Sequence, residues 1–294
     1  MTLPRLIFVT GKGGTGKSTV AAAFAVALSR HRPTILADLD RRRSALRLLA
    51  NLNGAQAAVP IGKNLEGVAL SSQAELEAFI ERIVPLKAIS RRMLRSRTFG
   101  YVTAALPGLE AFLMLERLRI MAGESALKDH YLVVDAPASG SALELLSVAE
   151  GVKGIAPVGT LHRLATGVQS FLSDGHRFGV VLTVTPHEMA LREVMETAAT
   201  LKDTLHIRCV AVVLNAATGA LFDAADLAAL TPLKLHAQLA LRRNAMAEYT
   251  IRARAQLKAA GLPLIELPEL FRAELGKAEV NILGERIGRA LFGK

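Results

Sequence analysis

The chain has 294 residues, of which 51% are apolar, 21% charged and 4% aromatic, with a net charge of +10 and a single cysteine. That composition is enough for a sizeable core and excludes disorder, while one cysteine excludes a disulfide framework and an intrachain Cys-x-x-Cys metal site. The positive balance suits a nucleotide, a nucleic acid or an acidic surface, or merely a solvated basic face; the few aromatics and the lack of Trp leave little for stacking single-stranded nucleic acid.

In chain order, apolar runs rich in β-branched residues predict strands at 5–10, 34–38, 67–71, 131–135, 178–184, 208–215 and 263–267. Runs this continuous suit strands buried on both faces. Between them, helical patterns predict helices at 17–30, 44–50, 73–94, 109–122, 140–149, 187–203, 221–229, 236–260 and 274–292. Such alternation argues an α/β fold: a mainly parallel, twisted sheet with helices on both faces. No repeat, low-complexity run or linker divides the chain, so residues 1–294 are expected to form a single domain, with a helical elaboration around 72–128. No leader precedes the first strand and no run of 18 uninterrupted apolar residues occurs, so a cytoplasmic protein is expected.

The first strand breaks into "GKGGTGKST", residues 11–19. Gly11 to Ser18 satisfies G-x-x-x-x-G-K-[ST] in the required context, a strand before it and a helix after it. Glycines at 11, 13, 14 and 16 allow successive N–H groups to face one phosphate, and the positive end of the following helix adds to that field. Lys17 is placed to bridge the β- and γ-phosphates of ATP and the Ser18 hydroxyl to ligate magnesium. Gly11, Gly13, Gly14, Thr15, Gly16, Lys17, Ser18 and Thr19 are therefore the candidate nucleotide-binding residues. Carboxylates are needed at neighbouring strand ends, and Asp38, Asp40 and Asp135 stand there. Asp135 is placed to hold magnesium through water. Asp38 either supports that ion or simply ends its strand, and each of the three could instead cap a helix.

With Lys12 included, the loop reads G-K-G-G-x-G-K-[ST] and resembles the deviant phosphate loop of the MinD, ParA, nitrogenase iron protein and ArsA-type ATPases. "VVDAPASGSALELL", from Asp135 through Pro137 and Gly140 to Leu146, resembles the ArsA-type switch II, with Ser141 where that family usually has His. "ALPGLEAF" and "VTPHEMALREV", with Glu188, Met189 and Glu193, resemble two further ArsA-type segments. The resemblance implies a P-loop NTPase fold and a magnesium-dependent, slow ATP hydrolase acting as a nucleotide-controlled dimeric switch. It implies that Lys12 reaches the partner's nucleotide, much as an arginine finger would. It further implies that Asp40 orients the attacking water and stands with Ser18 and Asp135 at the metal. Asn215, at a strand end, would read adenine, and Pro268 would lie in the loop near the base.

Three arginines, Arg41, Arg42 and Arg43, follow Asp40 where the family has other residues, leaving the hydrolysis rate open. Arsenite handling is not expected, because a soft metalloid needs clustered thiolates. The expected partners are a second copy or a close relative, with a protein client or a membrane-associated partner beyond it and DNA disfavoured. Apolar residues from Ile89 to Met114 could line a client groove or could be plain core. The ending "VNILGERIGRALFGK" is amphipathic and basic, so it either docks on the fold or serves as a MinD-like membrane tail, putting the protein at a membrane periphery. The alternative function is accordingly a MinD/ParA-type positioning ATPase at a membrane or nucleoid. A small-molecule kinase or ligase would need a further polar constellation, and the sequence offers none.

Overall fold

A computed structural model of the chain describes residues 2–39, 44–50, 58–83, 108–123, 129–155 and 158–293. Its centre is an eight-stranded sheet in the order β3-β4-β2-β5-β1-β6-β7-β8. The strands are β1 (Leu6–Gly11), β2 (Thr34–Asp38), β3 (Val59–Gly62), β4 (Leu65–Ala69), β5 (Tyr131–Asp135), β6 (Phe178–Val184), β7 (Cys209–Ala217) and β8 (Leu264–Pro268). All neighbours pair in parallel except β3 with β4. That edge hairpin was not expected. It turns at Lys63-Asn64, with Asn64 in the left-handed region at φ 58°, and Pro60 and Gly62 interrupt the strand signal, as an edge strand tolerates.

Along the buried strands, alternate residues face opposite layers. Leu6, Phe8, Leu132, Val134, Phe178 and Val180 enter one core, and Ile7, Val9, Val133 and Val181 enter the other. The helices are α1 (Lys17–Ser29), α2 (Ser44–Leu49), α3 (Ser72–Ile83), α4 (Leu109–Gly123), α5 (Ser139–Ile155), α6 (Thr160–Ser173), α7 (Glu188–Ala199), α8 (Ala224–Leu230), α9 (Lys234–Ala259) and α10 (Lys277–Phe292). A π-helical turn, Thr200–Thr204, extends α7 and buries Leu201. The first core holds Phe112 of α4, Phe171 of α6 and the inward residues of α5 and α7, so these four helices cover one face.

The other face is covered by α1, α2 and α10. Every residue of α1 from Val20 to Ser29 is buried, because the sheet lies on one side and α10 on the other. The alanines at 21, 22, 23, 25 and 27 allow this enclosure, and α10 approaches closely at Gly284. A Cβ there would lie 3.0 Å from Val26 Cγ1 and 3.1 Å from the Ala23 carbonyl oxygen. The amphipathic ending docks: Val280, Leu283, Ile287 and Leu291 are buried against α1. Its apolar face is thus occupied within the chain.

Helices α3 and α4 pack together and feed the first core, which places part of the expected elaboration; its segment 84–107 and the expected groove residues within it lie outside the described residues. Of the remaining groove candidates, Leu109, Phe112, Leu113 and Met114 are core. Helix α9 is different. Over 26 residues it buries only Ala240, Ala247, Thr250, Ala253 and Leu257, with a bidentate Arg254–Glu266 pair (2.6 and 2.7 Å) fastening it to β8.

Candidate functional site

The strand order switches about β1: β5, β2, β4 and β3 build outward on one side, β6, β7 and β8 on the other. In such sheets the crevice lies beyond the carboxyl ends of the strands at that switch point, where the loop after β1 sits. Gly11 ends β1 at φ 155°, and a Cβ there would stand 2.2 Å from the Thr183 carbonyl oxygen of β6, so only glycine lets the loop leave the sheet here. The curl closes on itself: Thr15 donates to the Lys12 carbonyl through both its N–H (3.3 Å) and its hydroxyl (2.8 Å). Lys17 Nζ makes a longer contact, 3.4 Å, with the same oxygen.

Gly16 caps α1 in the left-handed region at φ 86°. A Cβ at that position would meet Asn215 Nδ2 at 2.3 Å, while this same nitrogen donates to the Thr15 carbonyl at 2.9 Å. Asn215 reaches that place because the β7–β8 register slips between Leu214 and Ala217, with Ala216 at φ 55°. The side chain expected to read adenine thus braces the phosphate loop from below. Pro268 ends β8 opposite Ala217, so it stands at the same rim of the sheet.

Above Gly13 and Gly14 there is open space, with nothing within 4 Å of an added Cβ. No side chain caps α1 and no acidic residue occupies its first turn. The open side of the loop at Gly13 and Gly14, with the uncapped head of α1 beside it, is what an anion needs. Ser18 and Thr19 are half-buried at the head of α1.

Asp38 and Asp135 are fully buried and sit side by side in register on β2 and β5, with Asp135 also aligned with Val9 of β1. Asp38 Oδ2 accepts from the N–H groups of Ala45 (3.0 Å) and Leu46 (3.3 Å), so it holds the head of α2. Of the three fates open to it, this is the helix-capping one. Next to Asp135, Thr10 of β1 donates to the Pro137 carbonyl at 2.7 Å, tying the strand before the phosphate loop to the segment after β5. Asp40 and Arg41 to Arg43 lie outside the described residues.

Hard oxygen donors, a hydroxyl and carboxylates, are the right set for magnesium. Among the described residues no three His, Cys, Asp or Glu side chains converge on a metal by themselves.

One contact escaped the sequence reading. Lys12 Nζ pairs with Glu193 Oε2 of α7 at 3.1 Å, and Ser139, at the head of α5, donates to Glu193 Oε1. The Ser139 hydroxyl, followed by the Lys12 and Lys17 ammoniums, holds the Glu193 carboxyl below the usual carboxylate range. Glu193 had been noted only as part of an ArsA-like segment. Its partners stand 181 and 54 positions away, beyond any local pattern. His187, beside it, is the N-cap residue of α7, and His162 lies within α6. Cys209 is a free thiol in β7, and burial pushes its pKa up to about 12, so it is no candidate nucleophile.

A parallel sheet whose central strand opens into G-x-x-x-x-G-K-[ST] at the switch point defines a P-loop NTPase. Within that class the chain belongs to the anion-transporting ATPase family, whose model matches residues 4–164. The match takes in the phosphate loop, both aspartate-bearing strand ends and α5, and stops short of Glu193, Asn215 and Pro268. Curated relatives include the ATPase BagA of Mycobacterium tuberculosis (strain ATCC 25618 / H37Rv) and a Mycobacterium bovis protein provisionally named an ATPase. Each is 27% identical over 202 residues, 65% of this chain, and the alignment spans 59% of the relative's length. Among the described residues no helix is long and apolar enough to cross a membrane.

Proposed function

We propose that the chain is a magnesium-dependent ATPase that works as a nucleotide-controlled dimeric switch and handles or targets a protein client. The observation that carries this reading is the phosphate loop itself, set at the switch point with its rim open and two lysines upon it. Lys17 and the amides of residues 13 to 18 bind the triphosphate. Ser18, with Asp135 and Asp40, holds magnesium, which when bound neutralises charge on the phosphate oxygens. Asp40 orients the attacking water. Lys12, half-exposed at the loop's rim, serves the nucleotide of a second subunit and stabilises the charge that develops on its γ-phosphoryl group.

The output of such a site is a conformation. Loss of the terminal phosphate releases the segments after Asp40 and Asp135, changing the grip on a partner. Family membership and relatives named as ATPases support the hydrolytic part; the dimer and the client rest on Lys12 and on the resemblance. The positioning alternative would require α10 to leave α1, since its apolar face is spent there.

Light scattering of wild type and Lys12→Ala with ATP, ADP and no nucleotide tests the reading. Wild type is expected to dimerise more tightly with ATP, and Lys12→Ala to bind nucleotide but lose hydrolysis. An unchanged hydrolysis rate in Lys12→Ala removes the cross-subunit role, and failure of folded wild type to take up Mg-ATP in calorimetry removes the whole reading.

A further inference from the structure

In this structure Lys12 is already engaged. Its ammonium lies 3.1 Å from Glu193 Oε2, and the other oxygen of that carboxylate accepts the Ser139 hydroxyl. Three elements that the chain brings together only on folding meet at this one carboxylate: the phosphate loop, the head of α5 and the first turns of α7. Both oxygens of Glu193 have partners, and Lys17 adds to the positive field around it. A carboxylate on its own subunit and a phosphate on another compete for this ammonium, so the stronger field draws it.

The geometry points to Glu193 as a positioning residue that parks Lys12 on its own subunit. This inference rests on the dimeric reading above and deepens it. While Glu193 holds Lys12, the cation is turned inward, and two subunits that meet lack the charge that completes each other's site. An incoming triphosphate brings several negative charges to the loop and competes for the ammonium. Once Lys12 departs, Glu193 keeps Ser139 alone, so the release is communicated to the head of α5, the helix that follows Asp135. After the terminal phosphate is lost the carboxylate recaptures the lysine. Glu193 thereby sets the nucleotide concentration at which subunits close.

The test is Glu193→Gln, which keeps the side chain's shape and its capacity to accept from Ser139 while deleting the charge. The half-saturating ATP concentration for dimerisation, read by light scattering, is expected to fall about two- to five-fold, the range that a half-exposed ion pair commands. In a Lys12→Ala background the same substitution is expected to change nothing, because the parking acts through that lysine. A structural role for Glu193 would instead raise the half-saturating concentration and lower the melting temperature in both backgrounds. Either that pattern or an unchanged midpoint in Glu193→Gln overturns the inference. If the Gln variant does not fold, Glu193→Asp replaces it. Its carboxylate is one methylene too short to hold both Lys12 and Ser139, and its midpoint must still fall below that of wild type. Wild type that dimerises with ATP while both variants match it leaves the dimeric reading standing and removes only the parking role. Wild type that binds Mg-ATP and stays monomeric takes down both.

Discussion

Asn215 wedges beneath the phosphate loop, and Gly16→Ala measures how firmly. The substitution does two separable things. It places an L-residue at φ 86°, in the left-handed region, which costs about 1–2 kcal/mol. It also sets a Cβ 2.3 Å from Asn215 Nδ2, so the amide must withdraw from the Thr15 carbonyl and forfeit a hydrogen bond of about 1 kcal/mol. The wild-type background should therefore lose about 2–3 kcal/mol, and an Asn215→Ala background, where nothing stands in the way, about 1–2 kcal/mol. The two differ by a coupling of about 1 kcal/mol, above the scatter of independent sites. Urea denaturation of the four proteins of this double-mutant cycle yields it, with Mg-ATP calorimetry on those that fold. Equal costs of Gly16→Ala in the two backgrounds would refute the wedge and return Asn215 to a role at the base alone.

Gly284→Leu drives a side chain into the contact between α10 and α1, where its Cβ alone would come within 3.0 Å of Val26 Cγ1 and 3.1 Å of the Ala23 carbonyl, and should cost about 1–3 kcal/mol by denaturant titration. Deleting 280–294 should abolish cooperative thermal unfolding, because it strips Val280, Leu283, Ile287 and Leu291 from the face of α1. A membrane tail would leave the melt unchanged and remove vesicle binding only. Cys209, with its thiol near 12, should be alkylated slowly at pH 8, where about one thiol in ten thousand is ionised, and should react rapidly in urea. The Glu193 carboxyl is held low in the folded state, so its pairing stabilises the protein above the ordinary carboxylate range and loses that effect as pH falls through the lowered value. Wild type should thus lose stability on acidification relative to Glu193→Gln, by chemical denaturation at a series of pH values.

What the sequence disclosed followed from local chemistry. The run 178–184 became β6 to the residue and the run 131–135 became β5, because buried parallel strands are written as unbroken apolar stretches. The phosphate loop was legible for the same reason, as its spacing is contiguous. Helix α6 was not among the expected helices although Leu161, Leu164, Ala165, Val168, Phe171 and Leu172 recur at helical spacing. Helix α5 runs to Ile155, past the expected stop, because Gly151 and Gly154 are tolerated in a helix that packs on α4 and α6. Long-range partnerships left no local trace. That Asp38 would hold α2, that Asn215 would brace Thr15, and that Glu193 would take Lys12 each depends on where separate strands end, and the sheet order decides that.

Enclosure of α1 between the sheet and α10 has a mechanical corollary. A helix boxed in on every flank, with alanines for walls, has nowhere to slide when a ligand tugs at its head. Lys17 and Ser18 thus stand at the head of an element held like an anvil, and a load applied there meets the whole packed face of the sheet.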